Sequence, residues 1–429
     1  MSKILKENNM KITLPYGTSD KTVNIPDSFS DVQILAPAVI PVLEDVQTAV
    51  RDSINIPAAG TPLPKLLKPG EKVVLIINDI TRKTHSNVFL PYLVDCCIEA
   101  GIVEKDITII VANGAHRSQS AAELRDLAGE NIYNRVRVIN HDCRDESNLV
   151  HVGTTSLGNR VYLNKIAVNA DRVILIGSIN YHYCAGYSGG RKSIVPGIAG
   201  YHTIEFNHRL MLDPNSQPGI LDQNPMHLDM LEGSEFLKPD FMLNEIVSDN
   251  GKIIALVSGD YIKTHLEGCR IVDSVFGVPL KEKSDLVIAS CGGYPKDINL
   301  YQTHKALENA LMACNPQGTV ILLSECIDGA GSPELEEEAG RGSTLAELEK
   351  KVASYFQLGI HKAYKIRRLT QQRRTYLVSG LDPSIPTGLG FLTAPSVEEA
   401  LTQSLRSTSV STVSVIPYAS ITLPREVAS

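Results

Sequence analysis

The chain has 429 residues, of which 43% are hydrophobic and 21% are charged. This composition is typical of a soluble globular protein and excludes a largely disordered one. The length exceeds what one hydrophobic core usually serves, so we expect two or three domains. The net charge of −7, from 41 basic and 48 acidic residues, does not fit the basic footprint of a nucleic-acid-binding protein. We therefore expect no nucleic-acid partner.

The sequence also predicts where the protein works. Residues 1–9 lack the apolar stretch of a signal peptide. No run approaches the roughly 18 apolar residues of a membrane span. The eight cysteines form no CxxC pair, and free thiols in a reducing cytoplasm are the expected state. We predict a cytoplasmic protein without a membrane segment.

The first half of the chain alternates between strand-like and helix-like segments. Near-continuous Val/Ile/Leu runs predict buried strands over 72–79, 106–113 and 171–177. Amphipathic stretches predict helices over 88–99 and 118–127. This alternation indicates a parallel sheet covered by helices on both faces.

A second series begins near residue 284. It predicts strands over 284–290, 318–323 and 374–379, a helix over 299–313, and solvated acidic helix faces at 334–338 and 345–349. We place the boundary near residue 272, towards the end of a helix predicted over 261–274. The expected fold class is α/β, with an N-terminal domain over 1–272 and a C-terminal domain over 273–409, both with mostly parallel sheets. The tail, 410–429, contains a predicted strand over 412–416 that could close the sheet of either domain.

A glycine-rich segment within residues 182–208 carries the groups best suited to chemistry. It contains His182, Lys192 and His208, with glycines at 186, 189 and 190. Glycine weakens regular structure and is favoured where backbone must approach a ligand. Two imidazoles and a primary amine can supply a proton-transfer group, a covalent anchor and a metal ligand. We expect the active site here.

Two further polar motifs follow predicted strands. The motif Asp79-Ile80-Thr81-Arg82 offers a carboxylate, a hydroxyl and a guanidinium to an anion. His116 follows the turn Asn113-Gly114 after the next strand and could act as an acid–base group. Ligands gather beyond the carboxyl ends of strands in such sheets, so the shared position of these motifs favours function. The alternatives are a helix cap with a surface ion pair for the first motif and a structural histidine for the second.

The glycine-rich segment leaves other interpretations open. It is similar to a phosphate loop, but Arg191 stands where the loop needs glycine before Lys192. A nucleotide phosphate could still lie on the amides of Gly189 and Gly190, with Lys192 as an ordinary cation. A zinc site built from three histidines, with His202 joining His182 and His208, matches no usual spacing.

The last motif lies at the start of the helix predicted over 299–313. Gln302, Lys305 and Asn309 share one helical face, at spacings of three and four residues. The first two lie in the first turns, where a helix N-terminus favours an anion. Because Gly292-Gly293 precedes this helix, we prefer a ligand-binding face to a merely solvated one.

Taken together, these segments resemble the nickel-pincer lactate racemase family. The resemblance runs from about residue 72 to residue 305 and keeps the family's order and spacing. Its most specific part is the segment from His182 through Lys192 to His208. The motifs Gly292-Gly-Tyr-Pro-Lys-Asp297 and Tyr301-Gln302-Thr-His-Lys305 follow in the expected order.

The resemblance implies two α/β domains with an interdomain active-site cleft. It also implies a nickel-pincer nucleotide, Ni(II)-pyridinium-3,5-bisthiocarboxylic acid mononucleotide, which dedicated cofactor-biosynthesis enzymes supply. By this resemblance Lys192 is the covalent attachment point, His208 the nickel ligand, and His116 and His182 the acid–base pair. The remaining positions would bind the cofactor or the substrate. For the cofactor they are Asp79, Ile80, Thr81, Arg82, Gln302 and Lys305, and for the substrate Arg82, Tyr301, Gln302 and Lys305.

The implied reaction inverts the C2 centre of a small 2-hydroxy acid. The C2–H bond lies beside a carboxylate and is a very poor acid, so transfer of hydride to a cofactor while a base takes the hydroxyl proton is easier. The chain departs from the family at Lys83, where proline is common, and it has no tryptophan to form the aromatic wall of a lactate pocket. The absence of tryptophan argues against lactate and leaves malate, a hydroxyglutarate or a sugar acid as alternatives. A phosphate-handling transferase and a non-catalytic nickel- or cofactor-binding protein are the competing functions.

Overall fold

The computed structural model describes residues 10–26, 29–82, 84–248, 250–354, 359–407 and 410–426. Lys83, the departure noted above, lies outside these residues. The chain divides into two compact units. The N-terminal unit is Ile40–Asp273, and the C-terminal unit combines the described parts of Met1–Val39 and Ser274–Ser429. Each unit is an α/β structure and is considered by itself.

The strands and helices of the described residues are numbered in chain order. The strands are β1 Met10–Tyr16, β2 Ser19–Ile25, β3 Asp31–Ile34, β4 Val73–Asn78, β5 Ile107–Ala112, β6 Arg137–Asn140, β7 Leu149–Thr154, β8 Arg160–Asn164, β9 Arg172–Ser178, β10 Tyr181–His182, β11 Gly186–Tyr187, β12 Phe241–Val247, β13 Ile253–Gly259, β14 Gly277–Leu280, β15 Ser284–Ser290, β16 Cys314–Leu323, β17 Arg374–Val378, β18 Leu392–Thr393, β19 Thr412–Ile416 and β20 Leu423–Glu426. The helices are α1 Val46–Asn55, α2 Leu63–Leu66, α3 Ser86–Glu99, α4 Ala121–Ala128, α5 Glu130–Arg135, α6 Lys165–Val168, α7 Tyr201–Arg209, α8 Pro225–Glu235, α9 Tyr261–Phe276, α10 Leu300–Met312, α11 Pro333–Arg341, α12 Leu345–Ser354, α13 Ile360–Thr370, α14 Ser384–Gly388 and α15 Val397–Ser407.

The N-terminal unit is built on a six-stranded sheet of order β13-β12-β9-β4-β5-β6. All neighbours are parallel except β12 and β13, which form an antiparallel pair. The apolar runs of β4, β5 and β9 are almost fully buried, as residues covered by helices on both faces must be. From β4 the chain adds β5 and β6 on one side and β9 and β12 on the other. The strand order therefore reverses between β4 and β9, where doubly wound sheets bind their ligands.

The C-terminal unit contains a second six-stranded sheet, of order β18-β17-β16-β15-β19-β3, with every neighbouring pair parallel. The predicted strands over 284–290, 318–323 and 374–379 correspond to β15, β16 and β17. In this sheet the strand order reverses between β15 and β19. The loop after β15 therefore lies where doubly wound sheets bind their ligands. The predicted α/β class with mostly parallel sheets is confirmed.

The division of the chain differs from the predicted one at its N-terminal end. Residues assigned to the first domain, 10–39, belong to the C-terminal unit. The reason is strand pairing, because Val32 and Gln33 of β3 lie opposite Val413 and Ser414 of β19. Ile12 and Leu14 of β1 also pack in the core of that unit. The same pairing puts β19 in the six-stranded sheet of the C-terminal unit, while β20, also in the tail, pairs with β14 in a separate two-stranded sheet.

The solvated acidic face predicted over 334–338 is wrong at one residue, Glu338, while Glu336 and Glu337 are exposed. Glu338 of α11 has a side chain only 3% exposed. It accepts hydrogen bonds from Lys351 and Ser343, so it ties α11 to α12 and does not face solvent. All eight cysteines are free and buried. Within the described ranges, no helix is both long and apolar enough to cross a membrane.

Candidate active site

The predicted site residues of the N-terminal unit follow three adjacent strands. Asp79 comes directly after β4, His116 after β5, and the segment with His182 and Lys192 after β9. These strands are parallel neighbours, so their carboxyl ends lie on one edge of the sheet. That edge includes the reversal between β4 and β9, which makes it the ligand-binding edge expected of this fold.

The closest contact at this edge joins Asp79 to His116. Asp79 is 2% exposed, and its Oδ2 atom lies 2.6 Å from Nδ1 of His116. The hydroxyl of Thr81 donates to the other carboxylate oxygen at 2.6 Å. Burial acts to raise the pKa of Asp79, but the bonds from His116 and Thr81 and the charge of Arg82 hold that pKa below its usual value. The carboxylate is therefore ionised at neutral pH.

An ionised carboxylate fixes the tautomer of His116. Asp79 can only accept a hydrogen bond, so Nδ1 of His116 carries a proton and the neutral ring keeps its lone pair on Nε2. The His116 side chain is 39% exposed, which lets Nε2 reach a ligand. A histidine oriented by a buried carboxylate is the arrangement of a general base.

The rest of the Asp79 motif turns outward. The amide of Arg82 donates to the carbonyl of Asp79 at 3.0 Å, which closes a turn after β4. Ile80, Thr81 and Arg82 are all exposed on this turn. Their position agrees with a role in binding a ligand at the strand end.

His182 lies in a small hairpin formed by β10 and β11, where it pairs with Gly186. Nδ1 of its ring accepts a hydrogen bond from the amide of Ala185 at 3.1 Å. In the neutral ring the proton is therefore on Nε2, the opposite tautomer to His116. The side-chain amide of Asn224 donates to the carbonyl of Cys184 at 2.8 Å and holds the hairpin from α8. In these neutral tautomers Nε2 carries the lone pair in His116 and the proton in His182.

Lys192 lies in a single 3-10 turn, Gly190–Ser193. Gly189 and Gly190 precede it with φ of +75° and +52°, which disfavour residues with a Cβ atom. A Cβ on Gly190 would lie 2.9 Å from His265 of α9, so the turn also needs glycine for space. The amide of Gly190 donates to Oδ1 of Asn244 in β12 at 3.0 Å, which anchors the turn to the sheet.

The environment of Lys192 favours an uncharged amine. Burial lowers the pKa of Lys192 to about 7. The charges of Arg82 and Arg191 act in the same direction, while Cys184 opposes them. Within the described part of the chain, the amine has no hydrogen bond or ion pair. A lysine with this pKa is a nucleophile at neutral pH.

Two further arginines near these loops, Arg191 and Arg117, already have partners within the protein. Arg191 is 1% exposed, and it donates to the carbonyl of Ala185 at 2.7 Å and to His265 at 2.9 Å. It therefore holds the His182 hairpin together. Arg117 forms a bidentate pair with Glu123 at the start of α4.

His208 lies in α7, where its Nδ1 atom donates to the carbonyl of Ile204 at 2.9 Å. The lone pair of the neutral ring is then on Nε2, the form that binds a metal ion. His202 of the same helix is exposed, with a side chain 83% accessible. No cluster of three histidine, cysteine or acidic residues suited to a metal ion occurs among the residues described. The described residues therefore do not support a three-histidine zinc site.

The predicted motif of the C-terminal unit begins α10, after the loop that follows β15. The ammonium of Lys305 donates to Oε1 of Gln302 at 2.8 Å, so these two side chains share one face of the first turns. Tyr301 is half-buried beside them. Asn309 does not join this face, because it is buried and donates to the carbonyl of Ala419 at 2.7 Å.

Several supporting residues were not predicted from the sequence. Asn244 and Glu245 interrupt the apolar run of β12, and the carboxylate of Glu245 lies 2.7 Å from Nδ1 of His85. Asn224 was missed as well. The interruption of an apolar strand by two polar residues is the signal that could have identified the first pair, because buried polar groups need partners.

Comparisons with known proteins identify the family of the chain. Residues 16–219 match the model of the lactate racemase N-terminal domain, and residues 280–420 match the lactate racemase C-terminal domain. Lactate racemase of Thermoanaerobacterium thermosaccharolyticum is 33% identical over 323 residues, which is 75% of each chain. The Lactiplantibacillus plantarum enzyme is 33% identical over 75% of this chain and 76% of its own.

Solved structures give the same result. The lactate racemase apoprotein of T. thermosaccharolyticum superimposes with a TM-score of 0.88 at 29% identity, over 97% of this chain and 100% of that one. A Thermotoga maritima protein shares the fold alone, with a TM-score of 0.62 at 15% identity, over 89% of this chain and 98% of its own. The domain matches and the curated relatives together establish that the chain belongs to the lactate racemase family.

Proposed function

We propose that the chain is a racemase or epimerase that inverts the C2 centre of a small 2-hydroxy acid. Membership of the lactate racemase family supports an isomerase. The observation that carries the proposal is the pair of Asp79 and His116 at the edge that also holds His182 and Lys192. A carboxylate-oriented imidazole beside a nucleophilic amine fits proton transfer coupled to a covalently held cofactor.

The proton steps belong to the two histidines. Nε2 of His116 accepts the proton of the substrate hydroxyl, and Asp79 stabilises the imidazolium that results. His182 presents Nε2–H, so it donates a hydrogen bond to the substrate oxygen from its own side. For the other enantiomer the two histidines exchange roles. His182 must then release the amide of Ala185 and take the other neutral tautomer, losing the proton from Nε2 and gaining one on Nδ1, before Nε2 can act as a base.

The residues of the N-terminal unit fit the nickel cofactor of the family. The amine of Lys192 would form the covalent bond, Nε2 of His208 would bind the metal ion, and the turn from Asp79 to Arg82 would line the nucleotide. The low pKa of Lys192 and the Nδ1–H tautomer of His208 are the forms these roles need. When bound, a nickel-pincer nucleotide supplies an electrophilic centre for the hydride of C2.

The substrate carboxylate needs cations, and the candidates are Arg82 and Lys305. Gln302 and Tyr301 would complete the substrate-binding set. The chain has no tryptophan to form the aromatic wall of a lactate pocket, so we propose the substrate only as a member of the 2-hydroxy acids. Malate, a hydroxyglutarate and a sugar acid are candidates beside lactate. We place the reaction in the cytoplasm, where buried thiols stay reduced and the cofactor-biosynthesis enzymes can act on the protein.

The two competing functions fit less well. A phosphate-handling transferase needs a permanent cation in the glycine loop, but the pKa of Lys192 is about 7 and Arg191 is bonded within the loop. A non-catalytic cofactor-binding protein has no use for a histidine oriented by a buried carboxylate. The family comparisons do not favour either function.

The test is to produce the protein together with the cofactor-biosynthesis enzymes and to measure intact mass, nickel content and optical rotation. We expect an adduct on Lys192, bound nickel, and loss of optical activity with at least one member of a panel of 2-hydroxy acids. Lys192→Ala should lose the adduct and the activity. An adduct with no racemisation of any panel member would favour the cofactor-binding protein, and tight ATP binding without an adduct would favour the transferase.

A further inference from the structure

The strand β12 carries none of the predicted motifs, yet two consecutive residues in it contact the segments that follow β4 and β9. Asn244 and Glu245 are both completely buried. Their register neighbours on β9 are Gly177 and Ser178, close to the end of that strand. Because successive side chains of a strand point to opposite faces, these two residues reach different loops.

Asn244 contacts the turn that carries Lys192. Its Oδ1 atom accepts the amide hydrogen of Gly190 at 3.0 Å, and its Nδ2 atom donates to the carbonyl of Leu243 at 2.9 Å. Gly189 and Gly190 have left-handed backbone conformations, and glycine leaves this region of the chain many alternatives. The bond from Gly190 to Asn244 therefore selects one of them.

Glu245 contacts the segment that follows Asp79. Its Oε1 atom accepts the amide hydrogen of His85 at 3.0 Å, and its Oε2 atom lies 2.7 Å from Nδ1 of His85. The backbone carbonyl of Glu245 accepts from the amide of Ile179, which leads into the His182 hairpin, at 2.9 Å. One residue thus contacts His85, which caps α3 after the Asp79 motif, and Ile179, which precedes the His182 hairpin.

Packing alone does not explain these two residues. Their neighbours Phe241, Met242, Leu243 and Ile246 are all 0% exposed, so the strand lies in a fully apolar layer. A buried amide and a buried carboxylate are rarely better for stability than apolar residues of similar size. Polar residues at 244 and 245 are explained if the loops that they bind must be held in one arrangement.

We propose that Asn244 and Glu245 are positioning residues that align the Lys192 turn and the Asp79–His85 segment for cofactor attachment. The proposal rests on the proposed function. Neither residue touches the reacting atoms, and each acts through a loop. Displacement of a reacting group by about 1 Å can reduce a rate by about 10²-fold, so small loop shifts are enough to matter.

The first test uses the apoprotein and needs no cofactor. The acylation rate of Lys192 by an amine-reactive ester is measured by peptide mass between about pH 6 and pH 9, where an ordinary lysine stays mostly charged. We expect Asn244→Ala to reduce the acylation rate at Lys192 at least about threefold. Asn244→Asp, which keeps an acceptor for the amide of Gly190, should reduce this rate less. The matched control is Asn164→Ala, because Oδ1 of this buried residue also accepts a backbone amide, that of Ile166, at 3.0 Å.

The second test measures the fraction of protein with the Lys192 adduct after production with the biosynthesis enzymes. Asn244→Ala and Glu245→Gln should reduce this fraction at least about threefold under limiting cofactor supply. Asp240→Asn is the control for Glu245→Gln, because Asp240 also accepts one backbone amide and one side-chain bond but lies at the amino end of β12. The melting temperature of each variant is also measured, because an unchanged melting temperature shows that a lower adduct fraction does not result from loss of the fold.

The outcomes are distinct. Lower reactivity and loading in the β12 variants than in the controls, at equal melting temperature, supports the proposal. Equal reactivity and loading, or losses that follow the melting temperature in all variants, overturns it. If the wild-type protein gains no adduct, the proposed function fails, and the acylation rates of the apoprotein still decide the role of Asn244.

Discussion

The carboxylate of Asp79 lies 2.6 Å from Nδ1 of His116, although the two residues follow different strands of one sheet. This contact orients the imidazole before any ligand arrives, because the backbone of each residue is fixed at the end of a buried strand. It also converts a half-exposed histidine into a base of defined tautomer. The first prediction concerns this pair.

Asp79→Asn should reduce kcat in both directions by about 10²- to 10⁴-fold, the contribution of a positioned acid–base group. The amide preserves the size of the side chain but no longer stabilises the imidazolium. The measurement is kcat for each enantiomer, divided by the fraction of protein with adduct. Asp45→Asn, at the exposed cap of α1, is the control, and unchanged kcat in loaded Asp79→Asn would show that Asp79 does not orient His116.

The reactivity of Lys192 should depend on pH in a characteristic way. The pKa of its amine is about 7, whereas an ordinary lysine has a pKa of about 10.4. The acylation rate of Lys192 should therefore reach its plateau by about pH 8, whereas the rates of the other lysines should still increase with pH above this value. Peptide mass spectrometry after brief labelling measures both. A rate at Lys192 that keeps rising to about pH 10 would contradict the lowered pKa.

The same shift has a consequence for stability. Because folding lowers the pKa of Lys192, the unfolded chain binds more protons between the two pKa values. The amine therefore reduces stability most below about pH 7, and this reduction disappears as the pH rises towards about 10. Lys192→Met should raise the melting temperature at about pH 6 and have a smaller effect at about pH 10. A melting-temperature difference independent of pH would disprove this.

Nickel content should separate the two histidines of α7. His208→Ala should reduce the nickel bound per protein while the adduct on Lys192 persists, because metal binding and covalent attachment use different side chains. His202→Ala should leave nickel unchanged, since its side chain is 83% exposed and lies beside Glu205. Metal analysis after desalting measures the ratio. Equal nickel content per protein in the wild type and in His208→Ala would show that His208 does not bind the metal ion.

A pair of glycine variants tests the Lys192 turn. Gly190→Ala and Gly158→Ala both place a side chain in a left-handed conformation, which costs about 1–2 kcal/mol of stability. Only Gly190→Ala also meets His265, whereas Gly158 has open space around it. Thermal unfolding should show the larger loss for Gly190→Ala, and only this variant should form less adduct on Lys192. Similar adduct levels in both would show that the turn tolerates displacement.

The strands of the sheet centres were predictable because each is an unbroken apolar run. The runs that form β4, β5 and β9 consist almost entirely of apolar residues, which favour the buried interior of a sheet. Their helices followed from periodicity, and the position of the candidate site followed from the rule for strand ends. The family was predictable because His182, Lys192 and His208 keep a specific spacing.

Pairings between distant segments were not predictable in the same way. The bond between Asp79 and His116 depends on β4 and β5 being neighbours, and the role of Glu245 depends on the loop that reaches it. Glu338 was predicted to be solvated because its own segment is acidic, whereas its partners Ser343 and Lys351, which lie beyond that segment, explain its burial. In each case the deciding partner lies outside the local pattern.

The pairing of β3 with β19 joins two segments that are almost as far apart in the chain as any. During synthesis a ribosome releases β3 long before β19, so this edge of the sheet stays incomplete until β19 has emerged. Whoever expresses the C-terminal unit by itself must therefore fuse its early and late segments, because a cut at a single point would remove β3 and the hairpin of β1 and β2 from it.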